Sequence, residues 1–177
     1  MIGSAVWQGP AGGTVGGVVT NLGEKTEQTA TGRPGSHVPA RVPQRPTGLP
    51  ECPGAQPRPV GLAMHHGQAD LLGVVCSLMA QAGLPGPPAS AEFTVVRPTD
   101  DQILENATGA GVPPGTWPRG DLVPDVPHKA VCAFTTGAVA DVPAARGGPG
   151  PGQAHAASCP GRRSGVGPLP RGDAPGR

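Results

Sequence analysis

Prolines and glycines punctuate this chain so closely that few stretches are left in which a regular element can run without meeting one. Of 177 residues, 30 are glycine and 25 are proline. Proline fixes its own φ, lacks an N–H and pushes the preceding residue out of the helical region, whereas glycine carries the largest backbone entropy cost. Tyrosine is absent, and phenylalanine occurs only at Phe93 and Phe134. A chain so poor in large apolar side chains has little to set against an ordering cost of about 1–2 kcal/mol per residue. The expectation is a mostly disordered or irregular Gly/Pro-rich chain with, at most, a small marginal alpha+beta cluster in the middle.

Charge divides the chain further. The formal net charge is only +1, from 13 basic and 12 acidic residues, so weak cohesion rather than repulsion argues for disorder. The acidic side chains concentrate between residues 70 and 145, together with most of the large apolar ones. Residues 1–61 therefore read as a flexible Gly/Pro/Arg-containing segment, 62–142 as a small, marginally ordered region and 143–177 as a disordered, mildly basic tail. The start of the chain lacks a basic stretch followed by an apolar one, which points to an intracellular protein. No window reaches the roughly 20 apolar residues that a spanning helix needs, so no membrane association is expected.

Local patterns place three elements in the middle. Asp70 to Gly83 reads as a helix, with Leu71, Val74, Val75, Leu78 and Ala82 sharing one side and Gly83 and Pro85 ending it. Glu92 to Arg97 and Ala130 to Thr135 have the β-branched and aromatic content of strands. Thr99 and Gln102 have the spacing of a capping box for a short helix that stops before Gly109. Residues 109–128, with glycine or proline at nine positions, are expected to be irregular.

Chemistry is sparse. Cys76 and Cys132 sit among apolar residues and read as small buried hydrophobes, while Cys52 and Cys159 read as exposed thiols. His65 and His66 are adjacent but have no nearby partners at metal-ligand spacing. Cys76 or Cys132, His65 or His128, and Asp70 or Asp125 supply the ingredients of a nucleophile, base and orienter, but nothing in the sequence brings them together. No enzyme activity, metal or cofactor is expected. The glycine-rich run Gly12 to Gly17 lacks the lysine and hydroxyl of a phosphate loop.

Binding offers more. Val123-Pro124-Asp125-Val126-Pro127-His128-Lys129 spaces two prolines as in an extended polyproline ligand, with Val123, Pro124, Val126 and Pro127 suited to the grooves of an SH3-like domain and Lys129 to an acidic pocket. The apolar helix 70–83 is a second candidate for binding another protein. Arg33, Arg41, Arg45 and Arg58, with the C-terminal Arg162, Arg163, Arg171 and Arg177, offer weak nucleic-acid contact, against which the absence of aromatics near the first four argues. The G- and C-rich codons behind glycine, proline, alanine and arginine also allow a third reading. In it, the chain is the product of a poorly constrained open reading frame with no specific activity.

Overall fold

A computed structural model describes residues 2–36, 38–51 and 58–158. Six α-helices account for most of them: α1 (Ile2–Thr31), α2 (Val38–Thr47), α3 (Arg58–Ala82), α4 (Pro87–Thr108), α5 (Arg119–Arg146) and α6 (Pro151–Ser158), with a single 3₁₀ turn at Pro114–Thr116. There is no strand among the described residues. Helix α1 packs on α3 and α5, α4 on α5, α2 on α3 and α4, and α6 on α3. No helix of the described chain is long and apolar enough to cross a membrane.

The expected disorder is thus overturned: the described residues form a compact helical bundle, and their many glycines are put to use in packing. Where α1 meets α3, glycines stand in for side chains. A Cβ built on Gly73 would lie 2.8 Å from the Gly13 nitrogen and 3.0 Å from its Cα, and one on Gly9 would lie 2.6 Å from the Val74 nitrogen. Backbones this close gain dispersion contacts along their whole length, so density replaces large side chains as the source of cohesion. The same poverty of large residues that argued for disorder is what lets these helices touch.

The apolar core reflects this. Leu72, Cys76 and Ala80 of α3 cluster with Phe93 of α4 and Ala133 and Ala140 of α5, and Met79 and Ala144 pack against them. Helix α3 does run through 70–83, as the second part of a longer helix, but the face it buries is not the expected one. Leu71 is 65% exposed whereas Leu72 is 6% exposed, and Ala69, Gly73, Ser77 and Ala80 share the buried side. Close approach of α1 selects the small-residue face, and the larger Leu71, Val75 and Leu78 turn outward.

Both expected strands are helical. Glu92 to Arg97 lies inside α4 and Ala130 to Thr135 inside α5. β-propensity is a weak preference that packing overrides, and here Phe93, Cys132 and Ala133 reach the core from helices. Thr99 is no cap but an interior residue whose hydroxyl donates to the Val95 carbonyl at 2.7 Å. The true end of α4 is Gly109, at φ 67°. Its N–H donates to the Asn106 carbonyl at 3.1 Å, and that of Ala110 to Glu105 at 2.9 Å. The irregular stretch is shorter than expected, because α5 begins at Arg119 and carries Pro124, Pro127 and Pro143 within it. Cys52, Cys159 and the terminal arginines lie outside the described residues.

Candidate functional site

The most elaborate chemistry lies where α4 and α5 pack together and the connection between them folds back. Trp117, just after the 3₁₀ turn, donates its indole N–H to the Val112 carbonyl at 2.8 Å, which fixes the ring over the start of α5. Beneath it is a recess of about 120 Å³ lined by Thr94, Pro98 and Gln102 of α4, Pro114 and Trp117 of the connection, and Leu122, Asp125, Val126 and Lys129 of α5. The α5 residues are spaced three and four apart, so helical geometry puts them on one face.

The inner wall is a buried ionic network. Lys129 Nζ lies 3.0 Å from Asp101 and 2.9 Å from Asp125, and 5.9 Å from the centre of the Trp117 ring. Asp101 also accepts from Arg97 at 2.7 Å and from Gln68 Nε2 at 2.6 Å. Gln68 donates to Asp100 as well, at 2.7 Å. Arg97, Asp101 and Lys129 all have side chains at least 87% removed from solvent. Burial opposes the Lys129 charge, but Asp101 and Asp125 more than offset it and hold its pKa above the usual lysine range. Burial, reinforced by Asp101, raises the pKa of the Glu105 carboxyl, which accepts from Gln102 Nε2 at 3.2 Å.

His65 borders the same network from α3. Its imidazole pKa is pushed down to about 4, first by burial and then by the Arg97 charge, and its Nε2 is buried without a hydrogen bond. It is therefore a neutral ring near pH 7. Its neighbour His66 points differently, with Nε2 3.1 Å from Asn21 Nδ2 of α1. Among the described residues no three His, Cys, Asp or Glu side chains converge as a metal site would require.

The candidate catalytic side chains go to separate places. Cys76 and Cys132 are buried free thiols, and burial pushes the Cys76 thiol up to about 12, so it is not a thiolate at neutral pH. Asp70 accepts from the Thr14 hydroxyl at 2.8 Å on the surface. His128 faces Glu27 at 3.9 Å, and Asp125 is engaged by Lys129.

Of the binding motif, Val126 and Lys129 line the recess. Val123 is exposed, and Pro124 and Pro127 lie outside the lining. The SH3-type partner is overturned by the backbone: these prolines are inside α5, and a helix does not present the extended polyproline groove-filling surface that such recognition reads. The view of the chain as a flexible interaction protein falls with the disorder on which it rested. Three of the arginines weighed for nucleic-acid contact are drawn into ion pairs within the fold. Arg33 pairs with Glu27 at 2.7 Å and faces Asp121 at 3.9 Å, Arg41 and Arg45 both face Glu51, and Arg45 also donates to the Gly109 carbonyl.

The unconstrained reading frame is likewise overturned, because the bundle is a folded globular domain with a buried network drawn from three helices. Gln102 and Arg97 were not singled out as site residues by the sequence. The four-residue spacings of Arg97 with Asp101 and of Asp125 with Lys129 are the signal that marks them once both segments are known to be helical. Comparison with family models, curated proteins and solved structures found no match to this chain.

Proposed function

We propose that this protein is a helical binding domain for a small, compact apolar ligand, held in the recess beneath Trp117. The observation that carries the reading is the recess itself: about 120 Å³ with an almost wholly apolar lining from Pro98, Pro114, Trp117, Leu122 and Val126. A dry apolar cavity of about 150 Å³ takes up benzene, so this one suits a five- or six-atom ring or branched group. The ionic network behind it fixes the wall, since Lys129, Asp101 and Arg97 hold α4 and α5 in register.

The test is titration of the full-length protein with cyclopentane and with naphthalene, read from the Trp117 indole resonance. Cyclopentane is expected to give a saturable shift, naphthalene none, and Val126→Trp is expected to abolish the response by filling the space. Absence of any saturable shift with cyclopentane overturns the reading.

A further inference from the structure

The polar groups around the recess are accounted for one by one. The Thr94 hydroxyl donates to the Ser90 carbonyl at 2.9 Å, the Trp117 indole to Val112 at 2.8 Å, and Asp125 is paired with Lys129 at 2.9 Å. Gln102 spends its amide N–H on Glu105 at 3.2 Å. Its carbonyl oxygen, Oε1, is buried with no hydrogen-bond partner. Flipping the amide would not help, because it would set the carbonyl against the Glu105 carboxylate.

A buried acceptor left unpaired destabilises the free protein, and a donor that reaches it recovers that loss. We propose that the recess selects a neutral ligand that joins a compact apolar body to one hydroxyl or N–H donor, accepted by Gln102 Oε1. This deepens the proposed function and rests on it. Neutrality follows from the wall: a cation would meet the Lys129 ammonium, and an anion would meet Asp125 with Asp101 behind it. A donor-bearing neutral group meets neither cost and satisfies the buried, unpaired acceptor of Gln102.

The probes are cyclopentanol and methylcyclopentane, which differ by a hydroxyl in place of a methyl group, added to the full-length protein and to Gln102→Met. Cyclopentanol is expected to lose affinity about tenfold on this substitution, the worth of a recovered buried hydrogen bond, with methylcyclopentane unchanged. A measurement needing no variant is the Gln102 side-chain carbonyl ¹³C resonance, expected to move with cyclopentanol and not with methylcyclopentane. If both ligands bind but respond alike in these two measurements, the donor selection is overturned and the apolar recess stands. If neither ligand moves the Trp117 indole resonance, the proposed function is overturned together with this inference.

Discussion

Lys129 of α5 lies 3.0 Å from Asp101 of α4, and both side chains are almost wholly out of water. Two charges taken out of water are expensive unless each is fully paired, and here the pairing is complete: Asp125 completes the lysine, while Arg97 and Gln68 complete the aspartate. Replacing Lys129 with Met is therefore expected to cost about 3 kcal/mol in urea unfolding, because Asp101 and Asp125 lose their shared cation. A loss below about 1 kcal/mol would place the pair in water. Salt at 0.5 M is expected to leave this difference nearly unchanged, unlike that of the exposed Arg45 and Glu51 pair.

Glycine substitutions are expected to divide by position. A Cβ at Gly73 would press on the backbone of α1 at Gly13, so Gly73→Ala is expected to force α1 and α3 apart and to destabilise by about 1–3 kcal/mol. Gly67, on the same helix, has nothing within 4 Å of where its Cβ would stand. There, Gly67→Ala is expected to stabilise by about 0.5–1 kcal/mol through helix propensity. Thermal unfolding of the two variants measures both signs, and equal effects would contradict the close approach.

Acidification is expected to destabilise the fold through His65. Its folded pKa is about 4 against 6.5 for the free side chain. Between these values the unfolded chain binds a proton that the folded one refuses, so stability falls as the pH drops from 6.5 to 4, by roughly 3 kcal/mol at full strength. Glu24, Glu105 and Asp141 act in the opposite sense, because burial raises their pKa values and the fold accepts their protons earlier. Unfolding of His65→Leu across this interval isolates the histidine. Its stability is expected to fall less steeply with acid than that of the parent, and parallel curves would remove His65 from the account.

Proline inside a helix removes one hydrogen bond and crowds the preceding turn, at a cost of about 3 kcal/mol. Pro127 is an exposed interior residue of α5. Pro127→Ala is expected to stabilise by about 1–3 kcal/mol, the gain being reduced because alanine also leaves the unfolded chain more freedom. Chemical unfolding measures it, and a loss of stability would show that the ring's contacts outweigh the missing hydrogen bond.

Part of this architecture is legible along the chain. The ends of α3 at Gly83 and of α4 at Gly109 could be read because a left-handed turn after a helix is a property of the residue that makes it. The burial of Cys76 and Cys132 followed from their apolar neighbours. The strands assigned to 92–97 and 130–135 failed because β-branched content is a weak preference, outweighed once Phe93 and Ala133 bury themselves from helices. The recess was half visible, in Val126 and Lys129, and half hidden, because Gln102 and Trp117 gain meaning only when α4 and the α5 connection are folded together.

The glycine stops of α3 and α4, the supply of small residues and the shortage of large ones are local properties, set by each residue and its immediate neighbours. That proline-bearing segments become helices, that α3 buries its small-residue face and that Lys129 meets Asp101 are properties of the folded bundle. These outcomes depend on contacts between distant parts of the chain. Close backbone packing across Gly9, Gly13 and Gly73 supplies cohesion that no count of large apolar side chains registers.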